Sequence, residues 1–200
     1  MATFPYGSRE IDHLRSRDTR LGRAIDEIGV IRRGVTPDLF TALVVSVASQ
    51  QISAKAAETV WKRLENLAGT ITPETISALS KEEIQQCGIS MRKAGYIKSI
   101  GDAVMNGEID LAGLWDLPDD EVIARLTALD GVGVWTAEML LIFSMQRPDI
   151  VSWGDLAIRR GMMKLYGIDT LDRIRFERYR RRYSPYGSVA SLYLWEISHR

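Results

Sequence analysis

Asp155 stands at the head of a helix-patterned stretch, Leu156-Ala-Ile-Arg-Arg-Gly161, directly after a segment, 146–154, interrupted by Pro148 and Gly154. An aspartate in that place can cap the helix that follows. It can equally offer a carboxylate to chemistry, as a general base or as a stabiliser of positive charge. Twenty-two residues earlier than Asp155 comes Gly133, in the run Leu129-Asp-Gly-Val-Gly-Val-Trp-Thr-Ala137. Gly131 and Gly133 permit a tight turn with positive φ and leave backbone N–H groups uncovered where a helix begins. Bare N–H groups and the positive end of a helix dipole make an anion site that suits a phosphate, here offered by Gly131, Val132, Gly133 and Thr136. A Gly-x-Gly between helices also occurs as a plain structural turn. Three tryptophans, Trp135, Trp153 and Trp195, lie in or near these stretches and could stack on a planar ligand; core packing is the other reading for each.

The elements that must position these residues are helical. No stretch keeps a period-two alternation, whereas apolar residues recur at helical spacing along the chain. Helices are expected over 8–27, ending at Gly29, and from a Thr36-Pro37 cap through Leu39, Phe40, Leu43, Val44 and Val47. Ser53 starts another that stops at Gly69, Thr72-Pro73 starts a short one, and Ser80 with Glu83 forms a capping box. Further helices are expected over 91–105, 118–129, 133–145, 156–166, 172–183 and 186–198. The expected fold class is all-α, about ten helices joined by short turns.

The 200 residues, 46% hydrophobic and 26% charged, suit one soluble globular domain. The apolar runs are shorter than the roughly 18 residues of a membrane span, and the N-terminus lacks the apolar core of a secretory signal, so a cytoplasmic protein is expected. Cys87, the single cysteine, excludes an internal disulfide and a four-cysteine iron–sulfur cluster. With His13 and His199 the only histidines, a conventional zinc site is not expected. The net charge of zero conceals segregation: 101–154 holds ten acidic residues against two basic ones, and 155–200 holds ten basic against five acidic. Such a field suits one anion-binding face, although solvated helix faces give the same pattern.

Together, the Leu-x-Gly-Val-Gly-x-x-Thr-Ala hairpin, the helix and Pro/Gly loop after it, and Asp155 resemble the helix-hairpin-helix–GPD superfamily of base-excision DNA glycosylases. The resemblance runs over about 37–195. Ser49-Gln-Gln-Ile-Ser53 is similar to the family's glutamine-containing helix start before the DNA-facing loop, and Gly88-Ile-Ser-Met-Arg-Lys-Ala94 to its middle Gly-x-x-x-x-Lys-Ala stretch. Ser184-Pro-Tyr-Gly-Ser-Val-Ala190 with Trp195 resembles the alkylpurine branch, 3-methyladenine DNA glycosylase II. The fold so implied has two helical lobes around a cleft: 37–128 as a middle lobe, 129–145 as the helix-hairpin-helix, and 1–36 with 146–200 as a second lobe carrying Asp155.

The resemblance implies an enzyme that flips a damaged base out of duplex DNA and hydrolyses its N-glycosidic bond. Asp155 is the implied catalytic carboxylate. Bifunctional members carry a lysine two residues after the second hairpin glycine; Trp135 stands there, which implies base release without strand cleavage. Trp195, Trp153 and Trp135 are the implied base-pocket aromatics, with Tyr193 and Tyr166 further candidates. Gln51, or Gln50, is the implied wedge in the vacated stack, unless these glutamines cap the next helix. A sodium or potassium ion on the backbone carbonyls of Thr127, Leu129 and Val132 is implied at the hairpin. No iron–sulfur cluster or other cofactor is expected. The expected partner is damaged double-stranded DNA, met by a monomer without membrane contact, in a bacterial or archaeal nucleoid or a eukaryotic nucleus. Few residues precede the first core helix, so the chain resembles a short form without the extra N-terminal domain of long bacterial members. A glycosylase for a deaminated or oxidised purine, and a non-catalytic DNA-holding module, are the other readings.

Overall fold

The computed structural model describes residues 2–200. Among them the chain forms twelve α-helices, one 3-10 turn at Gly113–Asp116 and an isolated antiparallel bridge between Thr3 and Gly34. The all-α class is therefore the observed one. None of these helices is long and apolar enough to cross a membrane. The chain divides into two compact units, Thr36–Leu140 and Met1–Val35 with Leu141–Arg200.

In the unit Thr36–Leu140, α3 (Leu39–Ser49) is apolar on almost every side and buries Leu39, Phe40, Leu43, Val44 and Val47. A helix apolar all round belongs at the centre of a bundle. Helices α4 (Ala54–Ala68) and α7 (Met91–Met105) pack against it, and α5 (Pro73–Ala78) and α6 (Lys81–Gln86) pack on α7. Their starts are set locally, by Ser53, Thr72, Ser80 and Ser90, each of whose hydroxyls accepts an N–H of the first turn. Asp38 rather than Thr36 caps α3, its carboxylate accepting the Thr41 N–H at 2.7 Å. The carboxylate outcompetes the upstream Thr-Pro pair because it reaches the N3 amide directly. After α8 (Asp119–Thr127) the chain turns into α9 (Val134–Phe143), within which the boundary between the units falls.

The other unit is built on α12 (Gly187–His199), whose residues from Gly187 to Trp195 are all buried. Against it lies α10 (Leu156–Tyr166) at very close range: a β-carbon on Gly161 would overlap the Leu194 carbonyl oxygen and sit 2.8 Å from its carbon. Only glycine lets the two backbones approach so closely. The single helix expected over 8–27 is two, α1 (Ser8–Arg17) and α2 (Thr19–Ile28), broken at Asp18. Asp18 leaves helical geometry with φ −146° and accepts N–H groups from Arg20 and Leu21 at 3.1 and 3.0 Å. Its second oxygen accepts the Tyr166 hydroxyl at 2.6 Å and the Arg182 guanidinium at 3.0 Å. Tyr166 also bonds the Tyr183 hydroxyl at 2.8 Å, and burial pushes both phenols well above the ordinary tyrosine value. The N-terminal hairpin of helices is thus pinned to α10 and to α11 (Arg173–Tyr183) by one buried polar network.

Candidate active site

The hairpin lies in the unit Thr36–Leu140. Helix α8 ends at Thr127, Val132 N–H returns to the Leu129 carbonyl at 3.2 Å, and α9 starts at Val134. Positive φ in this turn belongs to Gly131 alone, at +81°, where a β-carbon would lie 2.5 Å from the Tyr96 ring. Gly133, also expected to use that conformation, does not; it is exposed, with open space where a β-carbon would point. Gly131 makes the turn and Gly133 keeps it bare. The first helical bond of α9 runs from Ala137 N–H to the Gly133 carbonyl at 2.9 Å, so the N–H groups ahead of Ala137 lie in the turn that a helix cannot satisfy internally. Val132 and Thr136 are buried, whereas Gly133 between them is exposed. The Thr127 carbonyl lies at the C-terminal end of α8, where the dipole is negative, and the Leu129 carbonyl, two residues on, accepts the Val132 N–H.

The Gln50-Gln51 loop adjoins this hairpin within the same unit. Ser53 caps α4, accepting the Ala56 N–H at 3.3 Å, so neither glutamine is the cap. The two differ sharply. Gln50 is partly buried and its amide donates to the Gly131 carbonyl at 2.9 Å. Gln51 is exposed and holds φ at +57°, a left-handed conformation that costs a non-glycine residue about 1 kcal/mol. The ammonium of Lys93 donates to the carbonyls of Ala48, at 3.3 Å, and Gln50. Ser46, Gln50, Gln51, Trp135, Thr136 and Met139 border a pocket of about 400 Å³. Trp135 is 47% exposed there.

Asp155 lies in the other unit. It caps α10, its Oδ1 accepting the Ile158 N–H at 2.9 Å, and only 8% of the residue is exposed. The cap and the buried carboxylate are one side chain. The loop before it is tied to the start of α12. Ser188 Oγ donates to the Arg147 carbonyl at 2.5 Å and accepts the Ile150 N–H at 3.0 Å, and Ser191 Oγ donates to the Ile150 carbonyl at 2.9 Å. The Asp149 carboxylate accepts the Ser184 hydroxyl at 2.5 Å and the Gly187 N–H at 2.9 Å. Sequence reasoning missed Asp149, Ser188, Ser191 and Lys93 as positioning groups. The serines and the aspartate reach across more than thirty residues of chain, and Lys93 carried a family likeness but no role.

The aromatics separate by environment. Trp195, on the helix crossed by α10, is 8% exposed and stacks on Phe143 with centroids 5.5 Å apart. Trp153 meets Phe176 edge-on at 5.1 Å and has the guanidinium carbons of Arg159 and Arg173 at 4.8 and 5.4 Å from its centroid. That tryptophan is a platform for arginines. Tyr193 donates to the Gly29 carbonyl at 3.0 Å and Tyr166 stacks on Tyr179 beneath the Asp18 network, so both are engaged in packing. Four of the six arginines of α11 are similarly committed: Arg173 to Glu177, Arg175 to Asp172, Arg180 to the Asp149 carbonyl and Arg182 to Asp18.

Among solved structures, the chain is similar to a DNA-3-methyladenine glycosidase from Bacillus halodurans, 36% identical with a TM-score of 0.88, over 99% of this chain and 93% of that one. It is also similar to a 3-methyladenine DNA glycosylase from Schizosaccharomyces pombe in complex with abasic DNA, 32% identical with a TM-score of 0.83, over 96% of this chain and 98% of that one. The DNA-3-methyladenine glycosylase of Saccharomyces cerevisiae is 30% identical over 80% of this chain and 67% of its own length. Residues 44–185 match the model of the HhH-GPD superfamily of base excision DNA repair proteins, and the chain belongs to that family.

Proposed function

We propose that this protein is a monofunctional DNA glycosylase that flips alkylated purines, of the 3-methyladenine and 7-methylguanine type, out of duplex DNA and hydrolyses their N-glycosidic bond. The observation that carries the reading is Asp155: a buried carboxylate fixed in direction by the Ile158 N–H at the head of α10. The named activities of the similar proteins support the same substrate class.

As the bond between C1′ and the base nitrogen breaks, its electron pair leaves with the base and positive charge spreads over the sugar. A carboxylate held in place before the reaction stabilises that charge without reorganising. Water then bonds to C1′ and its proton passes to Asp155 or to solvent. An N-alkylated purine is already cationic and leaves as a neutral base, so protonation by a general acid is not required. Trp135 in place of a hairpin lysine leaves no amine there to attack C1′, and the product is an abasic site.

Gly131, Val132, Gly133 and Thr136 would hold a DNA phosphate through their backbone, with a sodium or potassium ion on the Thr127, Leu129 and Val132 carbonyls supplying positive charge beside it. Trp135, open at its pocket, would contact the base, and Gln51 would fill its place in the stack. The protein would act as a monomer where chromosomal DNA is found, in a prokaryotic cytoplasm or a eukaryotic nucleus. Incubation with methylated duplex DNA tests the reading: the protein should release 3-methyladenine or 7-methylguanine. Release only from deaminated or oxidised purines would reassign the substrate, and no release from any lesion would leave a DNA-holding module.

A further inference from the structure

Gln50 and Gln51 are neighbours with opposite fates, one tied down and the other exposed in a left-handed conformation. A non-glycine residue keeps such a conformation where the structure around it fixes both sides. Here two side chains do so. Upstream, the Lys93 ammonium sits on the carbonyls of Ala48 and Gln50, at the C-terminus of α3. A cation there satisfies carbonyls that the helix leaves unpaired and meets the negative end of its dipole. Burial pulls this lysine below its ordinary value, with Arg92 adding to the effect. Sideways, the Gln50 amide is fastened to the Gly131 carbonyl, in the hairpin turn itself. The loop and the hairpin therefore form one hydrogen-bonded assembly within a single compact unit.

We infer that Lys93 is a positioning residue for base extrusion, which with Gln50 holds Gln51 in the conformation that enters the DNA stack and couples it to the hairpin. The inference rests on Gln51 being the inserted side chain. Lys93 touches neither substrate nor reacting atoms; it acts through the 48–51 backbone. Its loss should therefore matter most where extrusion is hardest. Unstacking and unpairing cost a few kcal/mol in a sound pair and less in a mismatched one.

The test is single-turnover excision of one site-specific 7-methylguanine placed opposite cytosine or opposite thymine. Lys93→Met should slow the cytosine-paired substrate about tenfold, the rate equivalent of about 1.4 kcal/mol, and leave the mismatched substrate nearly unchanged. Lys93→Arg should restore most of the lost rate. Gln51→Ala should show the same pair dependence, and adding Lys93→Met to it should change nothing further. Equal slowing on both substrates, or a Lys93→Met effect that persists in the Gln51→Ala background, overturns the role of Lys93. A Gln51→Ala protein without pair dependence overturns the wedge assignment instead. If Lys93→Met fails to fold, Gln50→Ala, which cuts only the tie to Gly131, is read against the same outcomes.

Discussion

Asp155 serves as a helix cap and as a buried carboxylate at once, so only a substitution that keeps one role can separate them. Asparagine does: it caps helices as well as aspartate but carries no charge. Trp135 makes a second residue-scale claim. Without a lysine in the hairpin no Schiff base can form there, and borohydride should trap no covalent protein–DNA adduct during turnover; a trapped adduct would refute base release alone. Asp18 makes a third. Burial pulls its carboxyl upward, but the Tyr166 hydroxyl, the Leu21 N–H and Arg182 outweigh this and hold it below the ordinary aspartate value. A folded value below the unfolded one gives stability that is complete above about pH 4 and is lost as the pH falls through the folded value. Melting temperatures followed from about pH 5 to pH 2 should fall more steeply for the wild type than for Asp18→Asn. Parallel slopes would show that Asp18 contributes no such linkage.

At the scale of elements, the legible features were the local ones. Ser53, Thr72, Ser80, Asp155 and Asp172 each cap a helix through the amide three positions on, and that pattern is written in neighbouring residues. The break at Asp18 was not legible, because a charge-laced stretch with neither proline nor glycine adjacent to Asp18 reads as continuous helix. Its partners Tyr166 and Arg182 lie 148 and 164 residues away. The mooring of the 146–154 loop was hidden for the same reason. Ser188 fills both sides of that mooring, as donor to Arg147 and acceptor from Ile150. Ser188→Ala should therefore lower stability by about 1–3 kcal/mol in urea unfolding, since it removes the acceptor of the buried Ile150 N–H. It should also lower the excision rate by loosening the segment that delivers Asp155. A stable variant with full activity would show that the loop is held by other contacts.

For the whole molecule, fold class and the hairpin–loop–aspartate order followed from pattern and resemblance, whereas the environments of the aromatics did not. Trp195, Trp153 and Trp135 looked alike as candidate pocket residues; one stacks in the core on Phe143, one carries arginines and one is open at a pocket. Their neighbours come from helices distant in sequence, which spacing cannot reveal. Net charge of zero likewise gave little guidance, because four of the six α11 arginines are engaged within their own unit. In the function proposed above, the molecule meets DNA with a backbone hairpin, an exposed glutamine and a buried carboxylate. The most direct test of this account is single-turnover release of 7-methylguanine from methylated duplex DNA by wild type and Asp155→Asn, with abasic-DNA binding and melting temperature measured on both. The account predicts release by the wild type and a loss of a hundredfold or more, on the order of that seen when a preorganised charge stabiliser is removed, with binding and folding retained. Undiminished release by Asp155→Asn would contradict it.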